Sequence, residues 1–84
     1  MILEYKGKTY RCVVGSDVIR DGMYIEVSID GDDSDPLIEI FYSDVTHDLS
    51  VTVFQPDIAL AVLEWAISVA RERLLPSSAD ASDL

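Results

Sequence analysis

The chain has one cysteine, one histidine and no asparagine, and it carries no lysine or arginine from Asp21 to Ala70. Each shortage excludes something. A lone Cys12 cannot close an intramolecular disulfide, and secreted domains this small usually depend on several, so the expected location is cytoplasmic. Without asparagine there is no N-glycosylation acceptor. One histidine and one cysteine, with no ligand spacing around them, do not make a zinc set, and no metal or cofactor is expected. The four glycines are isolated, so no phosphate-cradling loop is present. Met1–Lys6 has no basic leader, and the longest apolar stretch, Ile58–Ala70, is too short for a bilayer and contains Glu64, so no membrane association is expected.

The missing bases matter more because acids are plentiful. Sixteen acids face six bases, for a formal net charge of −10. The bases sit at the two ends: Lys6, Lys8, Arg11 and Arg20, then Arg71 and Arg73. Direct binding to nucleic acid or to an anionic membrane needs cationic side chains that release counterions, and the central segment has none. A basic protein partner would be attracted to such a chain. High net charge also keeps a small protein soluble and monomeric, which is the plainer account of the same acids.

What is present is a run of strand patterns and one helix. Eighty-four residues make one domain. Ile2–Tyr5 and Thr9–Val14 flank Lys6-Gly7-Lys8, which reads as a β-hairpin. Gly15–Gly22 reads as a polar loop with Val18 and Ile19 turned inward. Met23–Ile29 alternates, with Met23, Ile25, Val27 and Ile29 on one face and Tyr24, Glu26 and Ser28 on the other. Asp30–Pro36 is turn chemistry. Leu37–Tyr42 and Leu49–Phe54 complete the strands. Short connections join neighbours antiparallel. The expected fold is therefore α+β: an antiparallel meander of about five strands with one C-terminal helix on one sheet face. Residues 1–75 form the domain, and 76–84, rich in Ser, Ala and Asp, form a flexible tail.

The helix is expected to open at Gln55-Pro56-Asp57 and to run to about Leu75, with Pro76 stopping it. It has more apolar surface than one sheet face requires. Leu60, Leu63, Ala66, Ile67, Ala70 and Leu74 mark one stripe, of which Leu60, Leu63, Ile67 and Leu74 are taken here as the set that packs on the sheet, while Ile58, Val62, Trp65 and Val69 mark a second. That second stripe has three destinations: a sheet that curls around the helix, a second copy of the chain, or another protein.

The outer sheet face offers a further surface. Alternation places Tyr24, Glu26, Leu37, Glu39, Phe41, Thr52 and Phe54 there, aromatics among acids, as an interface for a basic partner would be built. Cross-strand packing of the same aromatics is the competing account. The Asp30–Asp35 loop matches an EF-hand only at its first positions; Asp35 stands where glycine belongs and Phe41 where glutamate belongs. Cys12 falls on an inward strand position, where a thiol is inert, so a Cys12–His47 nucleophilic pair is not expected.

In outline and composition the chain is similar to small bacterial inhibitor, immunity and antitoxin-like proteins, although no motif carries the likeness. The expectation is a small non-enzymatic interaction protein that binds a basic partner through Tyr24, Glu26, Glu39, Phe41, Phe54, Asp32 and Asp33. Two further readings stand beside it. One is a homodimeric module associating through Ile58, Val62, Trp65 and Val69; the other is a small enzyme or calcium-binding domain using the Asp30–Asp35 loop.

Overall fold

The computed structural model describes residues 1–31 and 35–75, so Asp32 and Asp33 of the expected contact set, and the 76–84 tail, lie outside the described residues. Five strands follow one another, β1 (Ile2–Tyr5), β2 (Lys8–Asp17), β3 (Gly22–Ile29), β4 (Ile38–Ser43) and β5 (Leu49–Val53), and one helix, α1 (Leu60–Arg73), ends the fold. The strands lie side by side in chain order, every neighbour antiparallel. This is the α+β meander with a C-terminal helix. The first turn forms because Lys6 and Gly7 both take positive φ, 49° and 81°, the left-handed pair that follows the twist of adjoining strands.

Alternation decides the faces. Tyr10, Cys12, Ile25, Val27, Ile38, Ile40 and Tyr42 are buried beneath the helix, and the register sets Ile25 beside Ile40 and Val27 beside Ile38. Strand β2 runs to Asp17, past the point where Gly15 signals a loop. Gly15 pairs with Tyr24, whose ring occupies the space a Cβ would need, so this glycine serves strand packing. The expected inward turn of Val18 and Ile19 does not occur either: both stand almost wholly in water, 94% and 95% exposed.

The helix differs from expectation in start and orientation. It begins at Leu60 because Asp57 takes φ 58° and Ala59 has extended ψ 134°, so residues 55–59 cross from the β5 end to the core face before winding begins. Ala59 gives no side-chain cap. The face laid on the sheet is centred on small residues, Val62, Ala66, Val69 and Ala70, with Leu74 beyond them. At about 100° per residue, Ala66 lies midway between the two apolar stripes, with Trp65 and Ile67 each about 100° to either side. The helix therefore uses the arc joining the stripes. Alanine lets its backbone approach β3 and β4, and the larger side chains flank the contact.

The orientation divides the residues of the homodimer reading, Ile58, Val62, Trp65 and Val69. Val62 and Val69 are buried in the subunit's own core, and Ile58 and Trp65 pack against its margin. Of the stripe expected on the sheet, Ala66, Ala70 and Leu74 are buried, whereas Leu60 is 68% exposed. Leu37, expected on the outer face, packs against the core instead.

Candidate functional site

The outer sheet face and the loops that close it gather the charged and exposed apolar groups. Cross-strand register places Tyr24 beside Phe41 and Glu26 beside Glu39, so four of the expected contact residues form one patch. Phe54 lies past the end of β5, half in water. Tyr24 lies over Gly15 and Phe41 over Gly22, each ring filling the space of an absent side chain. Both aromatics are half-buried by this packing, so cross-strand packing accounts for part of what the alternation pattern showed.

Arg20 organises the patch, and sequence reading missed it. From the β2–β3 loop its guanidinium reaches back to Glu39 through two hydrogen bonds, Nη1 to Oε1 at 3.2 Å and Nη2 to Oε2 at 2.8 Å. Its Nε donates to Asp17 Oδ2 at 2.6 Å, and the guanidinium carbon lies 4.2 Å from the centre of the Phe41 ring. Asp17 Oδ1 in turn accepts the backbone N–H groups of Ile19 and Arg20. Hydrogen bonds from Arg20 hold the Asp17 carboxyl below its usual range, and those to Glu39 and Asp17 raise the guanidinium pKa further. A lone base between Asp17 and Asp21 was the available signal. Only the register reveals that it reaches Glu39.

This clamp fixes the loop that presents Val18 and Ile19. The neighbouring β4–β5 turn is tied to it by Asp44 N–H donating to Asp21 O at 2.9 Å, and Val45 is exposed on that turn. Three branched apolar side chains therefore stand on two joined loops at one end of the sheet, among the exposed carboxylates of Asp21, Asp44 and Asp48. The β4–β5 turn is braced by Ser43 Oγ, which accepts from the N–H groups of Val45 and Thr46. His47 Nδ1 lies 3.0 Å from the Tyr42 hydroxyl.

Neither family, nor curated relative, nor solved structure matches this chain. Its chemistry must be read from its own residues.

Cys12 and His47 are not brought together. Cys12 is buried on β2 opposite Val27, burial pushes its thiol pKa up, and His47 belongs to the turn after β4. Of the Asp30–Asp35 loop, Asp30 is held by Arg11, with Nη2 at 2.6 Å from Oδ1; residues 32–34 fall outside the described residues. Among the described residues no three metal-binding side chains cluster. A groove of about 520 Å3 lies at the opposite end of the sheet, where Lys8, Tyr10, Ile29, Leu37 and Val62 meet the 55–59 crossing. Among the described residues of its lining, Lys8 and Asp57 carry the charge, and none is cysteine, histidine or serine. No helix among the described residues is long and apolar enough to cross a membrane.

Proposed function

We propose that the chain is a non-enzymatic interaction protein that binds a basic protein partner, in the manner of an inhibitor or antitoxin that occupies a cationic surface. The observation that carries this reading is the almost complete exposure of Val18 and Ile19 on a loop held by the Arg20 clamp. Two adjacent branched side chains in water serve no purpose within the subunit, whereas a pre-ordered loop loses little entropy on docking. Apolar anchors inside a charged rim are the usual anatomy of a contact site. Val18, Ile19 and Val45 supply the anchors. Asp21, Asp44 and Asp48, with Glu26 beside the clamped Glu39, supply the rim, and Tyr24, Phe41 and Phe54 extend the surface along the outer face. The acids steer association and the anchors provide affinity.

The test is affinity capture on the immobilised chain from an extract of its source cell, at low and at high salt, against a bait carrying V18S and I19S. The expected result is a basic protein retained by the native bait, released by salt and lost with the double variant. Retention by both baits alike would move the contact away from the loop tip, and a capture insensitive to salt would remove the electrostatic reading.

A further inference from the structure

We infer that the free edge of β5 pairs with the same edge of a second copy, joining two sheets into one of ten antiparallel strands. This surface is separate from the loop tip and does not depend on the reading above. The ladder between β4 and β5 shows which backbone groups are spent. Phe54 N–H donates to Leu37 O at 2.9 Å, and Ser43 N–H donates to Asp48 O at 3.1 Å. Bonded pairs alternate in an antiparallel ladder, so Ser50 and Thr52 also turn their backbone groups toward β4. Leu49, Val51 and Val53 therefore aim their N–H and C=O groups outward, with no strand among the described residues beyond them.

The side chains at those three positions point to the helix side, where Leu49 packs partly against the core and Val51 and Val53 stay open. The helix packs on β4, β3 and β1, leaving Val51 and Val53 each 47% exposed although they share the core face. A cleft of about 170 Å3 remains between β5 and α1, lined by Ile40, Leu49, Val51, Ile67, Ala70 and Arg71. An edge strand usually guards itself with charge, proline or a bulge. Strand β1, the other edge, carries Glu4 and is followed by Lys6. From Leu49 to Pro56 there is no charge at all, in a chain of net charge −10.

That neutrality selects the occupant. A basic partner finds no acid along this strip to pair with, whereas a second copy meets no like charge there. The segment is also self-complementary. Turned about a two-fold axis at Val51, Leu-Ser-Val-Thr-Val sets Val51 against Val51 of the other copy, Leu49 against Val53, and Ser50 against Thr52. Such an isologous contact closes at two copies. Every outward N–H and C=O of the three residues then finds a partner, and the three apolar side chains of each copy line up on one face. A five-residue strand is only about 17 Å long, so the buried area falls toward the low end for specific contacts, and the dimer is weak, with Kd on the order of 100 μM.

Sedimentation equilibrium on the native chain, from about 10 μM to about 1 mM, reads the association directly. We expect a monomer–dimer equilibrium that strengthens with salt, because screening relieves repulsion between two acidic copies; contact with a basic partner has the opposite salt dependence. V51K and V51E, each checked for folding by circular dichroism, should be monomeric alone and should associate when mixed, since residue 51 faces its own counterpart. Amide exchange on the native chain needs no variant: Val51 N–H should be protected in proportion to the dimer fraction, while Thr52 N–H is protected at every concentration. A native chain that stays monomeric at about 1 mM in high salt, or a dimer whose Val51 amide exchanges as fast as the monomer's, overturns the inference.

Discussion

Glycine 22 and Arg20 show how much of this molecule rests on single side chains, or on the lack of one. A Cβ at Gly22 would collide with the Tyr42 carbonyl oxygen and lie 2.6 Å from the Phe41 ring. The carbonyl belongs to the β3–β4 ladder and cannot move without opening it. Gly22→Ala should therefore cost about 1–3 kcal/mol, read as a lowered urea midpoint. At Gly15 the obstacle is the far end of the Tyr24 side chain, which can swing aside, so Gly15→Ala should be milder in the same assay. Arg20→Ala removes the charge that lies between Glu39 and the Asp17 carboxylate and leaves Glu26 and Glu39 facing each other uncompensated. The ion pairs are solvent-exposed, so the loss should be small, seen as a slight drop in Tm.

Acid should act at the same residue. The folded pKa of Asp17 is depressed, so its contribution is present above the unfolded carboxyl value and disappears as pH falls through the lower folded value. Amide resonances of Ile19 and Arg20 should therefore shift with a midpoint below that of a free aspartate, about 3.9, and the R20A chain should move that midpoint up toward it. Nothing in this clamp was legible in the sequence beyond the proximity of Asp17, Arg20 and Asp21, because Glu39 is brought to Arg20 only by strand pairing.

Among the elements, the strands were legible and the helix only in part. Met23–Ile29 alternates without a break, and its two faces in the fold are those the pattern assigns. The helix was recognised as a helix with Ala66 and Ala70 in one of its apolar stripes, but the large side chains of that stripe were taken as the contact set. A helix crossing a sheet approaches closest where side chains are smallest, which put Ala66 and Ala70 at the centre. Ala66→Leu should therefore be destabilising by about 1–3 kcal/mol although leucine is nearly as good a helix former as alanine, since Ala66 is 0% exposed and there is no room beneath it. Leu60→Ala, at an exposed position, should change the same thermal melt by about 0.5 kcal/mol or less.

For the whole molecule, the core is a single layer of contact between one sheet and one helix. Ile25, Val27, Ile38, Ile40 and Val62 are its largest fully buried side chains. In a domain this small the net stability is of order 5–10 kcal/mol, so Ile25→Ala, at roughly 2–5 kcal/mol, should remove a large part of it, and calorimetry would then show a much lower and broader transition. Because the helix spans β1 to β4 and stops short of β5, the core face of the last strand is left open on one side. The loop between β2 and β3 carries the Val18–Ile19 tip. The β5 edge is a neutral apolar exposure, and the tip is one ringed by acids.

Alternation of period two determined the number of strands, their faces and their antiparallel order, because a half-buried strand writes its environment into every second residue. Short polar connections determined the meander. The tertiary structure alone decided which arc of the helix meets the sheet, which strand edge goes uncovered, and that Arg20 reaches across to Glu39. Those are contacts between segments far apart in the chain, and they depend on side-chain size and strand register, which local periodicity does not encode.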